Sequence, residues 1–336
     1  MKLCSFVWRA GDYPRLGIVR GDPAARVVDV HVAASLLNVQ AGLRDWAGVP
    51  RTMREALEDW ERCGPMLRTL GQASAMLDPE KAREGERPAI LRLEDVHLTS
   101  PVPRPPSFRD FYAFEQHVRT ARGHRGLEMV PEWYEIPVFY FSNPAVMCGP
   151  EAEVPAPPGC AWLDYELEVG AVIGRAGRDL DPESAEAHVA GYCVLNDWSA
   201  RDLQRQEMKV GLGPSKGKDF ATGLGPWLVT PDELADARAA KGYDLAMTCR
   251  RNGAELSRGN WKDVHWSFGE MLAHASRGVM LHPGDVIGSG TVGTGCILEL
   301  TPEQAGGWLA PGDVLELEIE RLGVLRQTVA SGPQED

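Results

Sequence analysis

The sequence predicts an α+β fold that is mainly β, a twisted roll or sandwich of strands with peripheral helices, preceded by a small β-rich segment. Two observations carry this. Candidate strands outnumber candidate helices and do not alternate with them regularly, which argues against a doubly wound parallel sheet. The run PVPRPP at 101–106 is too dense in proline to sit inside helix or sheet, so it divides the chain near residue 100. Residues 1–100 then form a small N-terminal β-rich domain with a helical segment, and residues 101–336 a larger domain. With 336 residues, 43% of them hydrophobic and 25% charged, the chain can bury a core and enclose a site.

In the first part, residues 2–9, 15–20 and 26–33 read as short strands separated by turn residues. A helix is expected over 52–74, where Met53, Leu57, Trp60, Met66 and Leu70 recur at helical spacing as a core-facing stripe. The charged segment DPEKAREGERP then leads through one strand to the prolines. The second part opens with a helix at 107–122. Strands follow at 137–141, 163–173, 190–196, 226–230, 243–250, 284–288, 295–300, 313–320 and 323–329, with helices at 182–189, 198–208 and 266–278. Two P-G-D-V turns, Pro283 to Val286 and Pro311 to Val314, read as repeated entries into strands.

Charge excludes several classes of partner. A formal net charge of −13 argues against a nucleic-acid surface and an anionic membrane, both of which call for clustered Lys and Arg. An anionic substrate would need a local cationic device, either a metal ion or a few placed Arg and Lys residues. The cysteines at 4, 63, 148, 160, 193, 249 and 296 are odd in number, scattered and without a C-x-x-C pair, as expected of buried thiols in a reducing compartment. The apolar run Leu3 to Trp8 is too short for a signal-peptide core and no stretch reaches the length of a membrane span, so a cytoplasmic protein is expected.

Several motifs lack their mechanism. Gly288, Gly290 and Gly293 spell G-x-G-x-x-G, but TGCILEL after them reads as strand, and a dinucleotide site needs a helix N-terminus facing the pyrophosphate. GPSKGKDF lacks the first glycine of a phosphate loop, where Leu212 stands, and has Asp219 after Lys218 in place of Ser or Thr. No His-Glu-x-x-His pair occurs.

What remains is a set of polar groups in unusual settings. LDYELEVG sets Asp164, Glu166 and Glu168 at alternate positions of a strand, so that their oxygens can converge from one face on a hard cation such as Mg²⁺ or Ca²⁺. Glu316, Glu318 and Glu320 in LELEIE repeat the pattern as an ordinary solvated strand face. In FRDFYAFEQHVRTARGHRG, Asp110 and His117 are seven apart and share a face if the segment is helical throughout; each also fits a plainer role, as an N-cap and a solvated helix residue. In GYCVLNDWSARDLQRQE an apolar strand delivers Asp197 to the mouth of a helix on which Arg201 and Gln204 follow, a position suited to a cap or a ligand. Lys218 and Thr222 lie in GKDFATG, while SGTVGTGCILEL holds Thr291 in a glycine-rich turn and Glu299 in an apolar strand, where a carboxylate needs a partner or a wet face.

Their joint order resembles the fumarylacetoacetate hydrolase family. Asp110-x-Tyr112, His117, Tyr140 in PVFYF, Glu166-x-Glu168, NDWSARDLQ, GKDFATG and SGT followed by Leu-Glu preserve the family's motif order from about residue 100 onward, while residues 1–100 resemble its small N-terminal β-domain loosely. The resemblance implies the family's mixed β-sandwich roll as the catalytic fold, a homodimer, and a divalent metal held by Asp110, Glu166, Glu168 and Asp197. Mg²⁺ is the implied occupant, with Mn²⁺ or Ca²⁺ as alternatives, and Asp164 becomes a neighbour. His117 resembles the general base that activates water and Glu299 its supporting carboxylate. Gln204 and Lys218 resemble the donors to developing negative charge, and Tyr112, Arg125, Tyr140 and Thr291 the contacts to a small anionic keto-acid substrate. The implied reaction is hydrolysis of a carbon–carbon bond in a small acidic β-diketone, acylpyruvate-like or fumarylacetoacetate-like, through an enolate paired with the cation. Decarboxylation, isomerisation or dehydration of a 2-oxo acid are the other reactions of the same cradle. The chain departs from fumarylacetoacetases proper: Phe141, Ser142 and Asn143 replace their His-Gly-Arg run, Met208 stands at a substrate-contacting tyrosine, and the loop before Lys218 is one residue longer.

Overall fold

Lys2–Val7 and Arg15–Arg20 pair antiparallel and start a twelve-stranded sheet that crosses the whole molecule. The computed structural model describes residues 1–21, 26–41 and 48–331. Along the sheet the strands run Ile90–Arg92, Arg26–Asp29, Arg15–Arg20, Lys2–Val7, Thr222–Val229, Val189–Asp197, Leu167–Ile173, Val286–Gly288, Phe108–Phe111 and Phe139–Ser142. It continues across residue 100, because Lys2 and Leu3 pair with Val229 and Leu228. A second, five-stranded sheet packs against it and contains Ala246–Arg251, Ala254–Asn260, Val314–Ile319 and Gly323–Ala330. The mixed, strand-rich fold expected from the sequence is the one observed.

The central strands owe their place to apolarity on both faces. Every residue of Leu167–Ile173, Val189–Asp197 and Thr222–Val229 is buried, the pattern of a strand covered on both sides. Val314–Ile319 alternates instead: Leu315, Leu317 and Ile319 are buried while Glu316 and Glu318 are half-exposed, the wet face expected of LELEIE. Both P-G-D-V turns precede strands, with Gly284 and Gly312 at φ +89° and +91°.

Several expected elements differ. The strand expected at 26–33 ends at Asp29, whose Oδ1 accepts the N–H groups of His31 and Val32 at 3.1 and 3.2 Å and caps a helix, Val30–Ala41. The helix expected over 52–74 breaks at Asp59 into Met53–Glu58, capped by Thr52, and Trp60–Ala73. The helix expected at 107–122 begins only at Glu115, because Phe108–Phe111 is a fully buried strand between Val286–Gly288 and Phe139–Ser142. Sheet pairing overrides local helical periodicity there, and Asp110 and His117 do not share a helix face. The strand expected at 295–300 is a short helix, Ile297–Leu300.

The cysteines are all unpaired, and Cys4, Cys63, Cys193, Cys249 and Cys296 are buried. Among the described residues no helix is long and apolar enough to cross a membrane.

Candidate active site

The four carboxylates singled out as a cradle converge: ligating oxygens of Asp110, Glu166, Glu168 and Asp197 lie within 4.8 Å of one another, and all four residues are buried. Neighbouring strands deliver three of them, and Glu166 lies just before Leu167–Ile173 in the chain. Asp197 ends Val189–Asp197, Glu168 lies near the start of the adjacent Leu167–Ile173, and Asp110 is on Phe108–Phe111. Between the last two runs Val286–Gly288, in which Gly288 pairs with both Gly170 and Asp110. A Cβ on Gly288 would stand 2.3 Å from Asp110 Oδ1 and 3.0 Å from Glu168 Oε2, so the two carboxylates meet over a position that has no side chain. Gly290 completes the floor: its N–H points at Glu168 Oε2 at 3.0 Å and at Asp110 Oδ1 at 3.3 Å. Its φ of +78° and its approach to the Phe111 carbonyl, 2.5 Å from where a Cβ would be, both require glycine. The glycines of the discarded dinucleotide motif thus serve close packing under carboxylates. Gly288→Ala is expected to cost about 1–3 kcal/mol through overpacking, measured by chemical unfolding in the presence of a chelator.

The cluster is electrostatically divided. Burial, followed by the neighbouring charge, pushes Asp110 and Glu168 well above the usual carboxylate range, Asp110 facing Asp197 and Glu168 facing Asp110. Burial also pushes Asp197 up, against the pull of Lys218. Glu166 is as buried, but Arg201 and Lys218 overcome that desolvation and hold it below the usual range. Lys218 Nζ donates to Glu166 Oε2 and, at 2.5 Å, to Asp197 Oδ2, and these two carboxylates raise its own pKa despite burial. Arg201 Nη2 forms an ion pair with Glu166 Oε1 at 2.8 Å.

Beside the carboxylates stands a buried acid–base pair. His117 Nδ1 and Glu299 Oε1 are 2.5 Å apart, and Glu299 Oε2 accepts the Thr294 N–H at 3.1 Å. The ring of Tyr112 meets His117 edge-on at 5.4 Å, and burial pushes its phenol up to about 12. A cavity of about 860 Å³ opens on these groups, lined by Asp110, Tyr112, His117, Arg125, Tyr140, Glu166, Glu168, Gln204, Lys218 and Thr291. Asp197 and Glu299 lie behind that surface. Tyr140, expected to touch substrate, donates to Asp197 Oδ2 at 2.6 Å, and Thr291 Oγ1 lies 3.4 Å from Glu168 Oε1. Arg125 is exposed, and Met208 lines the cavity with 44% of its surface free.

Asp164 does not join the cradle. The run expected as one strand at 163–173 breaks into Leu163–Asp164 and Leu167–Ile173, and the Asp164 carboxylate turns to Arg201 and to backbone N–H groups. The sequence placed Arg201 with Gln204 on the helix after Asp197 and gave it no role; the signal available was its position four residues after Asp197, and the structure buries its side chain. It also gave no role to Trp162 and Trp308, which stack at 5.8 Å in the cavity wall.

The donor set suits a divalent cation on two grounds. Four carboxylates supply only hard oxygen ligands. Asp197 Oδ1 is buried with no hydrogen-bond partner among the described residues, an orphan atom that an ion at the cluster would satisfy.

Residues 107–330 match the model of the fumarylacetoacetate (FAA) hydrolase C-terminal domain. The chain belongs to the fumarylacetoacetate hydrolase family. It is 37% identical over 199 residues to a 2,4-didehydro-3-deoxy-L-rhamnonate hydrolase of Sphingomonas sp. (strain SKA58), covering 58% of this chain and 65% of that one. It is 36% identical over 192 residues to a mitochondrial oxaloacetate tautomerase of Homo sapiens, covering 56% and 57%. The chain therefore spans less than two thirds of the length of either relative. A crystal structure of maleylpyruvate hydrolase from Sphingobium sp. SYK-6, in complex with manganese(II) and pyruvate, superposes with a TM-score of 0.66, 24% identity and coverage of 99% of this chain and 100% of that one. At that identity the likeness is one of fold. The family to which the chain belongs thus includes hydrolases and tautomerases.

Proposed function

We propose that the protein is a metal-dependent hydrolase that cleaves a carbon–carbon bond in a small acidic β-diketone, of the acylpyruvate, fumarylacetoacetate or fumarylpyruvate kind. One observation carries the reading: a buried carboxylate cluster and a carboxylate-held histidine face the same cavity. Asp110, Glu166, Glu168 and Asp197 would hold the ion, Mg²⁺ in the first place and Mn²⁺ or Ca²⁺ as alternatives. When bound, that ion supplies Lewis-acid stabilisation of negative charge developing on the substrate oxygens. Glu299 engages His117 Nδ1, which leaves Nε2 as the nitrogen available to take a proton from water.

The water oxygen adds to the carbonyl remote from the substrate carboxylate, while Gln204 and Lys218 donate to the oxygen that gains charge. Collapse breaks the bond to the central carbon, whose electron pair passes into the enolate of the leaving 2-oxo acid. His117 returns its proton to that carbon. With acetylpyruvate the balance is one water consumed and one acetate and one pyruvate formed. Tyr112, Arg125 and Thr291, which line the same cavity, would orient the anionic substrate. Tyr140 would do so through the hydroxyl that donates to Asp197. We take the working form to be a homodimer.

A second reading is supported by the likeness to an oxaloacetate tautomerase. On it, the same cavity acts on a 2-oxo acid without hydrolysis, as a decarboxylase, isomerase or dehydratase. Product analysis separates the two. Incubation with acetylpyruvate and Mg²⁺ is expected to release acetate and pyruvate in equal amounts, and a chelator is expected to stop it. Carbon dioxide release from oxaloacetate with no diketone cleavage would replace the first reading by the second.

A further inference from the structure

Asp164, set aside as a ligand, is fully buried and receives four donors. Its Oδ1 accepts the N–H groups of Tyr165 and Ile297, both at 2.8 Å. Its Oδ2 accepts Arg201 Nε at 2.8 Å and the Leu298 N–H at 3.1 Å. Two separate parts of the site thus hang on one side chain. On one side, Arg201 reaches Glu166 and donates from Nη1 to Gln204 Oε1 at 3.1 Å. That contact fixes which end of the amide is which, since the carbonyl oxygen is committed to the guanidinium and the NH₂ is left for the cavity that Gln204 lines. On the other side, the Ile297 and Leu298 amides begin the turn Ile297–Leu300 that carries Glu299, the partner of His117.

We infer that Asp164 is a positioning residue that sets the acid–base pair and the charge-stabilising amide in register with each other. The inference rests on the roles given above to His117 and Gln204. A buried carboxylate with four donors in fixed directions admits little displacement, so moving either Arg201 or the 297–298 backbone would leave a buried charge or amide unpaired. A rigid link of this kind matters because catalytic groups need sub-ångström placement relative to each other. The alternative is that Asp164 only holds the fold together. The two differ in what they do to the molecules that remain folded.

The test uses Asp164→Asn, which keeps the shape but presents an NH₂ to one of its donors, and Asp164→Glu, which keeps the charge for Arg201 but lengthens the arm. Each is read in the 336-residue chain below its unfolding transition. Positioning predicts that kcat falls by about 10²-fold in the first and about 10-fold in the second while KM changes less than threefold, since both supported groups act on the transition state. It also predicts that the ¹⁵N signature of the His117 imidazole, assigned with His117→Asn, changes from one tautomer to a mixture. This second readout needs no substrate, so a wild-type protein inert towards every diketone would sink the proposed reaction and still leave the link decided. Folded variants with wild-type kcat, or with the wild-type imidazole signature, would overturn it. Asp164→Glu serves if Asp164→Asn does not fold.

Discussion

His117→Ala is expected to lower kcat on a cleavable β-diketone by ~10³-fold, in the middle of the range for loss of a general acid–base. KM and Mn²⁺ affinity should change little, because the ring is not among the four clustered carboxylates. The expectation follows from one short contact: Nδ1 is held by Glu299 at 2.5 Å, and on the proposed reaction the other ring nitrogen would be the base. Removing the ring also takes from buried Glu299 its closest partner and leaves it the Thr294 amide and the weak Cys296 thiol donor, so a stability loss of about 1–3 kcal/mol should accompany the change. Steady-state kinetics with a parallel metal titration separate the effects. A variant that keeps more than a tenth of the wild-type kcat would remove His117 from the chemistry.

For Lys218→Met the expected signs diverge. The metal-free protein should lose about 3–5 kcal/mol, because Glu166 and Asp197 lose a buried cation. Divalent-cation binding should tighten, since the ammonium is a positive charge inside the same cluster and its removal leaves the carboxylate field less compensated. Turnover should nevertheless fall by ~10²-fold or more, as for loss of a donor to developing oxyanion charge. Unfolding in chelator, an Mn²⁺ titration followed by electron paramagnetic resonance, and kcat at saturating metal measure the three. Weaker Mn²⁺ binding would mean that Lys218 acts as scaffold for Glu166 and Asp197.

Much of the candidate site was legible because its chemistry sits in short motifs. Glu168 and Asp197 lie in strands so apolar that ionisable residues there stand out, and Glu166 sits just ahead of the first of these strands. The contrast with LELEIE was legible too: Glu316 and Glu318 alternate with leucines against water, whereas Glu168 is buried in a strand buried throughout. What could not be read was anything fixed by pairing between distant segments. Asp110 is in a strand because Phe139–Ser142 and Val286–Gly288 flank it, which no local periodicity reveals. The turn holding Glu299 is helical because Asp164, more than 130 residues earlier, accepts its first amides. Arg201 looked like one more polar residue of a polar helix until its two carboxylate partners were in view.

The pairing of Lys2 and Leu3 with Val229 and Leu228 closes one end of the Thr222–Val229 strand. On that strand's opposite side Val189–Asp197 ends in a carboxylate of the cluster. A polypeptide restricted to the family-matched segment 107–330 would present the Leu228–Val229 end as an open edge, with N–H and C=O groups free to recruit a foreign strand. The first strand covers that edge, with a single strand between it and the one that carries Asp197.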